Sequence, residues 1–204
     1  MNDSNTGLDP AEIARGRRTL VGLAALFFVP LAIAFYLYYA GGWRPAGSTN
    51  HGELIEPVRP LEDAAFTLPD GTTSARVGLL RDKWSLVYVG PGSCDAACQR
   101  ALWVMRQTRL LLAEDMSRVQ RVFLSTRACC NEEFLNKEHV GLETVQAVDP
   151  AAIELLAQFP QDNQANMIFI VDPLGNLMMR FDARQEPKGL LSDLQKLLKL
   201  SHIG

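Results

Sequence analysis

The chain opens on mixed polar positions and then turns wholly apolar. Residues 19–40 carry no charged side chain and include Leu20, Leu23, Phe27, Phe28, Val29, Ile33 and Phe35. About 20 apolar residues cross the hydrocarbon core of a bilayer as a helix, so the pattern predicts one transmembrane helix over 19–40. Tyr36, Tyr38 and Tyr39 fall where an aromatic belt meets the headgroups. Residues 41–60 have neither helical nor strand period and hold Gly41, Gly42, Pro45, Gly47, Pro57 and Pro60, so they read as a linker with a solvated His51.

From 61 onward the pattern becomes that of a folded domain, 61–204. A short strand over 65–68 leads into the turn residues Pro69, Asp70 and Gly71. Trp84–Gly90 is a continuous apolar run of strand length, as expected for a strand buried on both faces. Residues 95–113 show helical spacing, with Ala97, Ala101, Val104, Met105, Thr108 and Leu112 on one side. Val119–Ser125 is a second strand, 131–138 a short helix, 142–148 a weak strand, and Pro150 suits the first turn of a helix reaching Phe159. Met167–Val171, the turn residues 172–176 and a returning strand over 177–182 form a hairpin. Leu190, Leu191, Leu194, Leu197 and Leu198 mark a final amphipathic helix. The order strand, helix, strand, helix, hairpin, helix predicts an α/β fold: a thioredoxin-like mixed sheet with flanking helices.

Charge orients this layout. Arg15, Arg17 and Arg18 precede the apolar run and Arg44 alone closely follows it. Positive charge collects on the cytoplasmic side, so 1–18 is expected inside and the domain outside. A cleavable signal peptide is the alternative, but the run is long for a signal core and lacks a clean Ala-x-Ala site. Asp3, Asp9 and Glu12 argue against a mitochondrial transit peptide. The net charge of −3 and the lack of a basic stripe exclude a nucleic-acid binder. Three histidines, His51, His139 and His202, are few for an all-protein metal cage. The four cysteines, Cys94, Cys98, Cys129 and Cys130, change the picture more, because an exported compartment permits disulfides.

Cys94 and Cys98 lie where the first long strand passes into the first long helix. Residues four apart share a helix face, and their Cα atoms would lie about 6 Å apart, within reach of a disulfide. A helix N-terminus also favours a thiolate, and two thiolates on one face can hold a soft metal such as Cu(I). Two packed or structural cysteines would be the plainer outcome. If the strands before Cys94 and before Cys129 and Cys130 are parallel, both loops leave one sheet edge, where ligand sites of open α/β sheets collect. His139 falls in the same part of the sequence. Packing is the alternative for Cys129 and Cys130, and surface exposure for His139.

The segment Lys83-Trp84-Ser85-Leu86-Val87-Tyr88-Val89-Gly90-Pro91-Gly92-Ser93-Cys94-Asp95-Ala96-Ala97-Cys98 resembles the Sco/SenC family, with its strand, short loop and Cys-x-x-x-Cys. Arg121 to Ser125, the hairpin from Ile168 with its Asp-Pro-x-Gly turn, and the N-terminal anchor follow the same order. The resemblance implies a membrane-tethered thioredoxin-like protein of the bacterial inner membrane, with a periplasmic domain that assists cytochrome c oxidase assembly. Its partner would be an oxidase subunit or another assembly factor. The activity implied is thiol-disulfide oxidoreduction or copper delivery, with Cys94 and Cys98 as the site. The family's metal histidine precedes the last long strand, and here 161–166 contains none. A third copper ligand would therefore have to be His139, Cys129 or Cys130. Thioredoxin-type oxidoreductases use Cys-x-x-Cys and a cis-proline that is missing before Met167, and a peroxiredoxin needs threonine where Pro91 stands. A partner-binding assembly factor with structural cysteines is the remaining reading.

Overall fold

The computed structural model describes residues 10–39, 49–68, 72–74, 78–126, 132–201 and 203. They fall into two units, Met1–Ser48 and Thr49–Gly204. In the first, α1 (Pro10–Tyr39) is a single helix whose apolar part has mean hydropathy 2.5 and no buried residue. It is long and apolar enough to cross a membrane. It begins a few turns earlier than the apolar run, because the helix continues through Arg15, Arg17 and Arg18, where Thr19 Oγ1 donates to the Arg15 carbonyl.

The second unit is an eight-stranded mixed sheet. Its strands are β1 (Glu53–Pro60), β2 (Phe66–Thr67), β3 (Thr73–Ser74), β4 (Trp84–Gly90), β5 (Val119–Ser125), β6 (Leu142–Gln146), β7 (Met167–Val171) and β8 (Asn176–Asp182). They lie in the order β1-β8-β7-β4-β5-β6-β2-β3. β4, β5 and β6 are mutually parallel, and β7 runs antiparallel to β4. The helices are α2 (Ala96–Leu111), α3 (Glu132–Glu138), α4 (Pro150–Ala157) and α5 (Pro187–Leu200). This is the thioredoxin-like mixed sheet that the alternation of elements predicts.

Alternate residues of the central strands build two cores. Trp84, Leu86 and Tyr88 of β4 and Val119 and Phe123 of β5 pack with Cys98, Leu102 and Met105 of α2 and Leu190, Leu194 and Leu198 of α5. Val87, Val89, Val122 and Leu124 pack on the other face with Leu155, Leu156 and Phe159. Every residue of β4 is buried, which is why it reads as one apolar run rather than an alternation.

The linker expected over 41–60 is corrected at its C-terminal end. Glu53–Pro60 is strand β1, paired with β8 through Glu53 with Arg180 and Pro60 with Asn176. Its period-2 signal is absent because only Ile55 is buried, as befits an edge strand that tolerates prolines. His51 is solvated as expected, with its side chain 53% exposed, but it is also anchored: its N–H and that of Gly52 donate to Asp193 Oδ2 at 2.8 Å, and its Nδ1 lies 3.1 Å from Asp193 Oδ1. Arg44, the turn at 69–71, Cys129, Cys130 and His202 fall outside the described residues.

Candidate functional site

β4 ends at Gly90, and the chain must turn at once toward the face covered by α2. A side chain at 90 would put its Cβ 2.7 Å from Tyr88 Cε1, so glycine alone fits there. Pro91 to Cys94 form a turn closed by the Cys94 N–H on the Pro91 carbonyl at 3.2 Å. Cys94 has φ +45°, a left-handed conformation that costs a non-glycine residue about 1 kcal/mol. Asp95 then caps α2: its Oδ1 accepts the N–H of Ala97 at 3.1 Å and of Cys98 at 3.0 Å. Gln99 Nε2 donates back to the Cys94 carbonyl at 3.2 Å. Turn, cap and amide together fix both ends of the Cys-x-x-x-Cys loop.

Within this loop Cys94 and Cys98 form a disulfide, with Cα atoms 5.0 Å apart. Cys98 is fully buried, while Cys94 retains 4% exposure. The bond closes a short ring at the C-terminal edge of the parallel strands. Beneath it, the fully buried Tyr88 donates its hydroxyl to the Ala165 carbonyl at 3.1 Å and packs its ring on Phe123. Burial, and secondarily the Asp95 charge, push the Tyr88 phenol up to about 12. The phenol therefore stays a hydrogen-bond donor at every physiological pH. That contact joins β4 to the one-turn helix Gln164–Asn166 just before β7.

The parallel pairing of β4 and β5 brings Gly90 opposite Ser125, and the Thr126 N–H donates to the Gly90 carbonyl at 3.0 Å. The strands leading to the two cysteine pairs thus end at one sheet edge. Cys129 and Cys130 themselves lie outside the described residues. His139 does not join Cys94 and Cys98. Its carbonyl accepts the N–H of Leu142, the residue paired with Arg121 near the start of β5. Arg121 and Ser125 are separated by about 13 Å of strand, so His139 sits toward the other end of the sheet. It is also buried, at 4% exposure, rather than on the surface.

The donor set bears on copper. Cys94 and Cys98 supply two thiolates when reduced, and the stretch before Met167 supplies no imidazole. Among the described residues no three His, Cys, Asp or Glu side chains converge. Two thiolates reach only the lower limit of a Cu(I) centre, and among the described residues no third donor joins them.

A family model described as transmembrane-like, thioredoxin-like, C-terminal domain matches residues 84–201, from the first residue of β4 to the end of α5. The chain belongs to this family. Among solved structures, yeast Sco1 superposes with a TM-score of 0.60 at 14% identity, covering 72% of this chain and 98% of that one. Copper-bound ScoI of Bradyrhizobium japonicum gives 0.53 at 18% identity, covering 67% and 98%. BsSco, in which a disulfide switch has been identified and which belongs to the Sco family of cytochrome c oxidase assembly proteins, gives 0.51 at 14% identity, covering 70% and 96%. No curated protein sequence matches. At these identities the likeness is one of fold: this transmembrane-like, thioredoxin-like domain is Sco-like in architecture.

Two contributors to the site escape a reading of cysteine spacing. Asp95 is legible in retrospect, as an N-cap residue directly before a helical pattern. The Tyr88 contact with Ala165 is not, because it joins residues from distant parts of the chain.

Proposed function

We propose that Cys94 and Cys98 form the working thiol-disulfide pair of a membrane-anchored Sco-like protein that assists cytochrome c oxidase assembly. In this reading 1–18 lies in the cytoplasm, 19–40 spans the bacterial inner membrane, and the thioredoxin-like domain works in the periplasm. The observation that carries it is the disulfide itself, held at the end of a buried central strand with only Cys94 reaching solvent. In the reduced state the Cys94 thiolate attacks a client disulfide and releases one client thiolate, which takes up a proton. The Cys98 thiolate then attacks Cys94 in the mixed disulfide, and the second client thiolate leaves and is protonated. Two electrons pass from the pair to the client, and an upstream dithiol restores the pair by the same exchange in reverse. Burial of Cys98 keeps it from competing for clients, so it acts as the resolving thiol.

Support for the oxidase as client comes from the Sco fold, through the oxidase-assembly role stated for BsSco. No step is derived through copper, because among the described residues no third donor joins the two thiolates. The test is direct. Full-length protein, purified in maltoside detergent, should show one reducible disulfide with a potential above about −300 mV, the upper bound for structural disulfides. Cys94→Ser should abolish exchange with a model disulfide, and Cys98→Ser should trap a mixed disulfide. Copper stoichiometry on the reduced protein separates the alternatives. Tight binding of one copper, lost on Cys94→Ser, would replace the redox reading with metal delivery. A disulfide that resists reduction would leave a partner-binding factor with structural cysteines.

A further inference from the structure

At the far end of the sheet from the cysteines lies a second concentration of chemistry. Arg121 sits on β5 between Val119 and Phe123, on the face that α2 covers, where an apolar residue is expected. It is 3% exposed. Its Nη2 donates to the Val140 carbonyl at 2.7 Å, but Nε and Nη1 are buried with no partner. Among the described residues no carboxylate pairs with it: Glu138 lies 3.7 Å from Arg106, and Glu143 is in register with Val122, one position out of phase with Arg121.

The surroundings add positive charge instead. Arg106 and Arg109 on α2 line, with Arg121, Leu110 and Val140, a cavity of about 190 Å³. Arg109 Nε is engaged by the Val119 carbonyl, and Arg106, 40% exposed, stands at the mouth. Burial, then Arg109 and Arg106, push Arg121 down to about 10. His139 is also buried there, with Nδ1 unpartnered, and burial followed by Arg121 and Arg106 lowers its pKa, with Glu138 opposing. Its ring is therefore neutral at physiological pH. A buried guanidinium without a counter-charge is among the costliest arrangements in a core. The one carboxylate near the cluster among the described residues, Glu138, pairs with Arg106 at the mouth, so the buried Arg121 and its neighbour Arg109 leave their negative partner to a ligand.

We propose that this cavity binds a phosphate group, with Arg121 at its floor and Arg106 and Arg109 at its walls. The phosphate is either free in solution or carried on a phospholipid headgroup, and its oxygens take the donors that the fold leaves unpaired. The site is separate from the disulfide and does not depend on the redox reading.

The test uses the full-length chain in maltoside detergent. Inorganic phosphate, compared with sodium chloride at equal ionic strength, should raise Tm saturably and move the imidazole resonances of His139 along the same curve. For the lipid source, the same resonances are followed in nanodiscs of phosphatidylcholine with and without phosphatidic acid. A response to inorganic phosphate identifies a soluble ligand, and a response to phosphatidic acid alone identifies the headgroup. Arg121→Met should lose the response while keeping a Tm at least equal to the parent in phosphate-free buffer, because it removes the unpaired charge. Should Arg121→Met not fold, Arg106→Gln should weaken the response. Silence of His139 to both phosphate sources, or an unchanged response in the variant that folds, overturns the proposal.

Discussion

Reducing the Cys94–Cys98 bond should cost the domain little stability, and the structure lets the amount be worked out. The bond closes a ring of only five residues, so chain entropy credits it with about 2 kcal/mol against the unfolded state. Against this stands Cys94, held at φ +45°. A left-handed non-glycine residue costs about 1 kcal/mol, which the opened loop is free to release. The Asp95 cap and the Gln99 amide do not involve the sulfur atoms, so they are expected to persist on reduction. The oxidised form should thus be more stable by about 1 kcal/mol, which for a domain of this size lowers Tm by about 2–4 °C on reduction. The same difference corresponds to a folded pair within about 20 mV of an unfolded dithiol, as the proposed redox role requires. The assay is thermal unfolding of the detergent-solubilised chain, oxidised and after reduction with a phosphine, followed by circular dichroism. A fall of about 8 °C or more, in the range of a structural staple, would refute the reasoning and favour the non-catalytic reading.

Tyr88→Phe should cost about 1 kcal/mol at neutral pH by leaving the Ala165 carbonyl without its donor, measured by urea unfolding. The parent carries a further alkaline signature. With the Tyr88 phenol raised from 10.0 to about 12, the unfolded chain loses its proton first, so stability is full below pH 10 and falls by about 3 kcal/mol as pH rises to 12. Tyr88→Phe should flatten that fall, and an unchanged slope would count against the assignment. Gly90→Ala should destabilise by about 2 kcal/mol or more, because its Cβ meets the Tyr88 ring at 2.7 Å. Asp193→Ala should cost about 2–4 kcal/mol by stranding the N–H groups of His51 and Gly52, and should open the chain near His51 to protease.

What the sequence shows most clearly is what lies in continuous runs. β4, β5 and β7 are buried on both faces, so composition alone marks them, and the helical spacing of α2 places Cys94 and Cys98 at its start. The disulfide reach between them follows from that spacing. β1 was hidden because one buried residue, Ile55, makes no pattern. The tie of His51 to Asp193 spans most of the domain's length, and local reading has no access to it. Arg121 was in plain view as a charged residue on an inward strand position, but its meaning depends on α2 delivering Arg106 and Arg109 to the same cavity. His139 was placed near the cysteines on sequence proximity to Cys130, whereas α3 carries the chain back along the sheet before it is reached.

The edge strand β1 limits how other chains can approach. An open sheet edge offers a ladder of N–H and C=O groups to any extended peptide, and many domains recruit partners by adding such a strand. Here Pro57 and Pro60 remove donors from the β1 ladder, and Glu53, Glu56 and Arg59 stand exposed along it. A strand pairing there would find gaps in the ladder and charges at its border, which also guards against edge-to-edge aggregation. An extended chain therefore finds little to pair with at this border, so a partner docking by β-augmentation is disfavoured there.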